Sequence, residues 1–315
     1  MTAVRILALG GAHVDRRGRI HGQTAPGASN PGSWFVEAGG GVFNAARNLA
    51  RLGHPVRLIA PRGGDADGEI VAAAAEAAGV EDTPFTFLDR ATPSYTAIIE
   101  ADGNLVIALA DMELYRLFSP RRMQQRAVRE AFAATGAVLT DANLPEETIA
   151  AIADAARRHA HPVFGIAISP AKVVRFRPVL PALAGLFMNE AEARALIETQ
   201  PDRPQDWPAL LRAAGLARGV ISRGSEAAIA FDETGAAMLA PPRLEILGDV
   251  TGAGDALASG FLSAHLAGRP LAQALRQGAA AALIAVRSPL AVAEELEPEL
   301  LARVTGLVPE AEMLS

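Results

Sequence analysis

Short, largely apolar runs recur along this chain, and each gives way to glycine or polar residues before a stretch with helical spacing. Val4–Leu9, Val56–Ala60, Ala137–Thr140, Val163–Ile168, Leu183–Met188 and Gly219–Ser222 are such runs. Continuous apolar character belongs to strands covered on both faces, the habit of parallel sheets. Helix-like stretches lie at Gly68–Ala78, Pro120–Thr135 and 146–160. Alternating β and α units place the chain in the α/β class, where ligands bind at the carboxyl ends of the strands.

The length of 315 residues, half of them apolar, allows one large α/β unit or two small ones. With no internal repeat and no long linker, a single domain over 1–315 is expected. The formal charge of −6 gives no electrostatic footprint for nucleic acid. Absence of cysteine excludes disulfides and thiolate metal sites, and it fits a cytoplasmic setting. Met1–Leu9 is interrupted too soon by Gly10-Gly11 for a signal peptide, and no apolar run reaches membrane-spanning length. Neither nucleic acid nor membrane is expected as a partner.

Two stretches depart from the alternation. Residues 16–36 are polar and rich in Gly, Pro and Ser, with no helical period. Ser94–Ile99 and Leu105–Leu109 flank Asp102-Gly103-Asn104, a hairpin signal. Together they suggest an excursion from the main sheet, a small lid.

Asp249-Val250-Thr251-Gly252-Ala253-Gly254-Asp255 carries the chemistry. It follows a strand-like run (Leu244, Ile246, Leu247) and opens into a helix-like run, Ala256–Ala267, stopped by Gly268 and Pro270. Backbone N–H groups of Gly252, Ala253 and Gly254 can close around an anion at the helix start. A carboxylate beside an anion hole is repelled by the bound anion. The pairing makes sense where the anion is the transferring group and Asp255 takes a proton from the attacking hydroxyl. An acidic first turn on a glycine-rich loop is the plainer alternative. No Gly-Lys-Ser/Thr follows, so this is not a P-loop. A second glycine loop, Gly39-Gly40-Gly41, runs into a helix ending near Gly53, with Asn44 in its first turn.

His13 and Asp15 follow the first strand, where a carboxylate can hold a hydroxyl-rich ligand or simply be solvated in a turn. Asn189-Glu190-Ala191-Glu192 is a capping box by spacing; alternatively Asn189 reaches a phosphate and Glu192 organises a hydrated Mg²⁺. Ser222-Arg223-Gly224 is a turn or a phosphate contact. The six histidines have no metal-ligand spacing, and no nucleophile elbow is present.

In this order the motifs resemble the ribokinase-like (phosphofructokinase-B type) carbohydrate and nucleoside kinases, over nearly the whole chain. The carriers are Gly39-Gly40-x-x-x-Asn44-x-Ala46 through Gly53, and Asp249-x-Thr251-Gly252-Ala253-Gly254-Asp255. Asn189-x-x-Glu192 and Ser222-x-Gly224 lie between them. The resemblance implies a three-layer α/β/α core, a mainly parallel sheet and a small β lid from about 12–36 and 92–112. It implies ATP with Mg²⁺ as donor and a sugar or nucleoside hydroxyl as acceptor. Asp255 would be the base, and Gly252, Ala253 and Gly254 the anion hole. His13, Asp15, Gly40 and Asn44 would hold the sugar, and Asn189, Ser222 and Gly224 the nucleotide. Asp249 and Thr251 would correspond to a monovalent-cation (K⁺) site, and paired lids to a homodimer.

Within the family the likeness is to pseudouridine kinases, through Ser29-Asn30-Pro31-Gly32, Asp111-Met112, Asp141-x-Asn143 and Lys172. It places Asn30, Asp111 and Asn143 near the acceptor, so the expected reaction is phosphorylation of a nucleoside 5′-hydroxyl. Three positions depart from the family pattern: His13 for Asn, Ile166 for Asp and Ala227 for Gly. They leave room for a ribokinase or other sugar kinase, and for a sugar- or nucleoside-binding protein without turnover.

Overall fold

The structure, a computed structural model, describes residues 3–242 and 251–314. Among them, ten strands form the main sheet. Val56–Ile59, Ile6–Leu9, Ala137–Asp141, Val163–Ile166, Gly185–Asn189 and Gly219–Arg223 run side by side in parallel. Glu226–Asp232, Gly235–Leu239 and Glu312–Leu314 continue one side antiparallel, and Glu81–Asp82 closes the other.

The apolar strands sort their side chains by the pleat. Ile6 and Ala8 join one buried cluster, Leu7 and Leu9 another. Helices Gly41–Arg51, Ala253–Leu266 and Leu271–Ala285 cover the first face through Phe43, Leu49, Phe261 and Leu275. Helices Glu146–Arg158, Glu190–Ile197 and Trp207–Ala213 cover the second through Ile152, Leu196 and Trp207. The architecture is a three-layer α/β/α sandwich. Small residues let Ala253–Leu266 and Leu271–Ala285 pack closely: a Cβ on Gly260 would stand 2.7 Å from Ala281 Cβ.

A separate four-stranded sheet has the order Gly32–Gly39, His13–Ile20, Ser94–Ile99, Leu105–Asp111. Its last two strands pair antiparallel across a turn in which Gly103 takes φ 95°. The stretch expected to be irregular, 16–36, thus supplies two paired strands and the loop between them. The helix expected over Pro120–Thr135 is divided into a 3₁₀ turn, Pro120–Gln124, and a helix, Arg126–Ala133, because Gln125 is extended. The strand expected around Leu244–Leu247 lies outside the described residues.

Candidate active site

Helix Ala253–Leu266 opens at Gly252, whose φ of 81° is the left-handed kind that glycine takes without cost. A Cβ there would stand 2.0 Å from the Ala291 carbonyl oxygen, so no other residue fits. The first N–H groups of the helix have no partner within it, which makes this helix start a candidate site for an anion. Asp255, one turn in, lines a cleft of about 280 Å³ with Gly40, Gly41, His13 and Asn143. Asn44 Nδ2 donates to Asp255 Oδ2 at 2.8 Å. Asn44 Oδ1 in turn accepts from Arg47 at 2.6 Å, and Arg47 also donates to the Ala38 carbonyl at 2.8 Å. Burial pushes the Asp255 carboxyl up to about 7; the Asn44 hydrogen bond and Arg47 oppose this, while Asp141 and Glu192 add to it. A carboxyl poised near neutrality suits proton acceptance. The same burial draws the Arg47 guanidinium down to about 10, which still leaves it cationic.

Three segments at the strand tips meet on Asp141, a fully buried side chain ending strand Ala137–Asp141. It accepts from Gly11 N–H (3.2 Å), Val42 N–H (3.1 Å), Asn143 N–H (3.0 Å) and Asn143 Nδ2 (3.1 Å). Those donors come from three separate segments, so one side chain ties the first strand's end to the glycine loop and to Asn143. It also explains Gly10: a Cβ there would stand 2.8 Å from the Asp141 carboxyl carbon. Gly40, at φ 116°, passes so near Gly11 that a Cβ would lie 2.4 Å from its carbonyl oxygen. His13 Nδ1 shares a hydrogen bond with Tyr115 Oη at 2.8 Å, and Nε2 faces Asp15 Oδ1 at 3.2 Å. Burial holds the Tyr115 phenol well above its ordinary value, so it stays protonated.

At the other end of the cleft Asn189 and Glu192 complete both halves of a capping box. Asn189 Oδ1 accepts from Glu192 N–H at 2.9 Å, and Glu192 Oε2 accepts from Asn189 N–H at 2.7 Å. Burial raises the Glu192 carboxyl, against the Asn189 bond. Ser222 lines the same cleft, and Gly224 makes the following turn at φ 62°. Thr251 is exposed at the start of the Gly252 turn; Asp249 lies outside the described residues.

Asp111 borders a second hollow with Tyr115, Lys172 and Arg175, and Asn143 is common to that hollow and the cleft. There Lys172 Nζ donates to Asn143 Oδ1 at 2.7 Å, and burial lowers the Lys172 ammonium from its ordinary value. Asn30 is not brought to the cleft. Its side chain closes its own loop, accepting from Ala25 N–H at 2.8 Å and donating to the Ala25 and Ala28 carbonyls at 3.0 Å. Arg47 and Tyr115 were not among the sequence candidates, and Asp141 entered only as part of the Asp141-x-Asn143 match, with no role of its own. The signal for Asp141 was its position at the tip of an apolar strand, with Gly10-Gly11 at the tip of another.

A three-layer fold whose strand tips meet a glycine-opened helix start, with a carboxylate in its first turn, has the layout of a small-molecule phosphotransferase. The chain belongs to the pfkB family of carbohydrate kinases, whose family model matches residues 5–297. It is therefore an ATP-dependent carbohydrate or nucleoside kinase. Over 314 residues, 98% of each chain, it is 28% identical to the pseudouridine kinase of Escherichia coli K12. A carbohydrate kinase from Agrobacterium tumefaciens is 60% identical, with a TM-score of 0.90 over 99% of this chain and 100% of that one. The Arabidopsis thaliana ribokinase solved with ribose and ATP shares the fold, with a TM-score of 0.83, 20% identity and coverage of 96% and 99%.

Proposed function

We propose that this kinase phosphorylates the 5′-hydroxyl of a nucleoside, with pseudouridine as the preferred acceptor and Asp255 as general base. The observation that carries the acceptor class is the Lys172–Asn143 pair at the border of cleft and hollow. A sugar seated against His13, Asp15, Gly40 and Asn44 would leave room beyond Asn143 for a base. The polar groups there (Asp111, Lys172, Arg175) suit a ring with several donors and acceptors. The similarity to the Escherichia coli pseudouridine kinase supports the same acceptor.

The hydroxyl gives its proton to Asp255 as it attacks, and the helix start at Gly252, Ala253 and Gly254 takes the charge of the transferring phosphoryl group. Asn189, Ser222 and Gly224 flank the donor. Mg²⁺, when bound, supplies charge neutralisation across the phosphates. The donor set fits this modestly: one Glu192 oxygen is committed to the cap, the other is left for a metal-bound water. Among the described residues no group of three acidic or histidine side chains could hold a metal by itself. Thr251, with Asp249, is the proposed K⁺ site. The small sheet is the proposed lid. Its exposed apolar side chains, Ile107 and Leu109 on one edge strand and Trp34 on the other, are the proposed contact with a second copy of the chain.

The test is ADP release with pseudouridine, uridine, guanosine, ribose and fructose in parallel. A buried partner left unmatched costs about 1–3 kcal/mol, so uridine should trail pseudouridine by roughly tenfold or more in kcat/KM, and free ribose should be slower still. Efficient transfer to ribose or a hexose with none to pseudouridine would replace the nucleoside reading with a sugar kinase.

A further inference from the structure

Three residues other than glycine have positive φ among those described: Ala160, Ile168 and Glu198. Ala160 and Glu198 stand at the ends of helices Glu146–Arg158 and Glu190–Ile197, where a left-handed residue is the ordinary stop. Ile168 ends no helix. It lies between strand Val163–Ile166 and the turn that starts at Pro170. Its φ is 74°, and Ser169 N–H donates to the Ala167 carbonyl at 3.0 Å, which makes Ile168 the centre of a three-residue γ-turn. That turn is rare and strained, and a branched β-carbon makes it worse. The turn is held from outside: Ala167 N–H donates to the Phe187 carbonyl at 3.0 Å, and Lys172 N–H and Val173 N–H bind the Ser169 carbonyl at 3.0 and 2.9 Å.

The strain has a visible result. Ile168 is partly exposed, and it lines the same cleft as Asp255. Its Cδ1 stands 2.3 Å from the point a Gly41 Cβ would take, and Asp255 Oδ1 stands 3.5 Å from that same point. The side chain thus fills space that only a glycine at 41 leaves open, on the side of the cleft where Asp255 also approaches that glycine. With Ile166 it gives the cleft an apolar wall on this side.

We propose that Ile168 is kept in this strained turn in order to wall the reacting end of the cleft against water, so that phosphoryl transfer goes to the bound hydroxyl and not to solvent. The inference rests on the reading of Asp255 as the base. Water is the standing competitor of any alcohol acceptor, and a fixed apolar wall denies it a position beside the base. Strain at such a site persists because the surrounding structure over-determines the turn, and it is relieved only where the β-carbon itself is removed.

Three variants test this, each followed by thermal melting, acceptor-dependent ADP release and ADP release with no acceptor. Ile168→Val keeps the branch and most of the wall, and should behave like the wild type. Ile168→Ala and Ile168→Gly both open the wall. Each should raise the ratio of hydrolysis to transfer by about tenfold. They differ in the turn: alanine keeps a β-carbon at positive φ, glycine does not. The glycine variant should therefore melt about 2 °C or more above the alanine variant, the reverse of the usual order. An unchanged hydrolysis-to-transfer ratio in both variants overturns the wall; an alanine variant that melts above the glycine one overturns the strain. Recovery of Val but neither Ala nor Gly in folded form would assign Ile168 to packing alone and also overturn the proposal. If the wild type transfers to no acceptor, the base reading fails, while the melting order still decides the turn.

Discussion

Asp255 carries opposite consequences for rate and stability. With its carboxyl up at about 7, kcat/KM should fall roughly tenfold per unit below about pH 7, as the base is protonated. Asp255→Asn should lose about 10² or more in turnover, while calorimetry shows acceptor binding retained. For stability, the folded value lies above the unfolded one of about 3.9, so the protonated form is favoured by folding. That contribution is full below about pH 4 and is lost as pH rises through about 7. At about pH 8 the ionised group costs stability, discounted because Asp255 is partly exposed; Asp255→Asn should then gain about 1–3 kcal/mol in melting experiments, and little at about pH 4. Asp141 offers a different readout. Its bonding partners are all N–H donors, so Asp141→Asn sets an amide against them. The acceptor KM should rise about tenfold with the ATP KM within about twofold; an equal rise in both would mean general loosening. Asp255 and Asn44 were legible in the sequence because each sits at a fixed offset in a glycine loop. The bracing role of Asp141 was not, although the Asp141-x-Asn143 match was noted: one Asp after a strand reads as any loop residue, and what marks it is the convergence of Gly11, Val42 and Asn143. Asn30 shows the converse: a short motif match says nothing about where a side chain spends its hydrogen bonds.

Among the elements, helix starts are the proposed holders of the donor, and the capping box at Asn189–Glu192 poses the sharpest question. As a cap alone, Glu192→Gln should be nearly silent, because Gln serves at that helix position. As an organiser of Mg²⁺, it should raise the Mg²⁺ needed for half-maximal rate several-fold with melting unchanged. A superimposable titration would leave Glu192 a cap. The six parallel strands of the main sheet were readable because they are largely apolar on both faces, a pattern that survives any exact choice of ends. By contrast, Glu226–Asp232, Gly235–Leu239, Glu312–Leu314 and Glu81–Asp82 were not among the expected strands. The small sheet was only half readable. Ser94–Ile99 and Leu105–Asp111 announced themselves by the Asp-Gly-Asn turn, whereas Gly32–Gly39 has no alternation to read. All but the last three residues of that strand are exposed, and a strand with no buried face is not obliged to alternate. The break at Gln125 was likewise unreadable, since nothing in its composition forbids a continuous helix from Pro120.

For the molecule as a whole, the small sheet is out of balance with the rest. Leu105–Asp111 is exposed along its entire length, with Ile107 at 65% and Leu109 at 71%, and the opposite edge strand exposes Trp34 at 61%. An edge strand that is long and largely apolar invites pairing, and proteins ordinarily blunt such edges with lysine, proline or a bulge. Here a register shift lies near the turn, at Ile98–Ile99, and the strand beyond it is apolar up to its last residue, Asp111. A second copy offering the same surface would bury both edges, as a two-fold contact does. It would also hold the proposed lid over His13 and Asp15, which belong to this sheet through strand His13–Ile20. Ile107→Asp combined with Leu109→Arg should therefore convert a dimer to a monomer in sedimentation equilibrium. Because neither side chain belongs to the buried clusters, the melting temperature extrapolated to low protein concentration should change little. The kinetic consequence follows from where the sheet sits: the acceptor KM should rise several-fold on dissociation, and nucleotide binding should not. A wild type that sediments as a monomer across the accessible concentration range would rule out this pairing and leave the apolar edge without it.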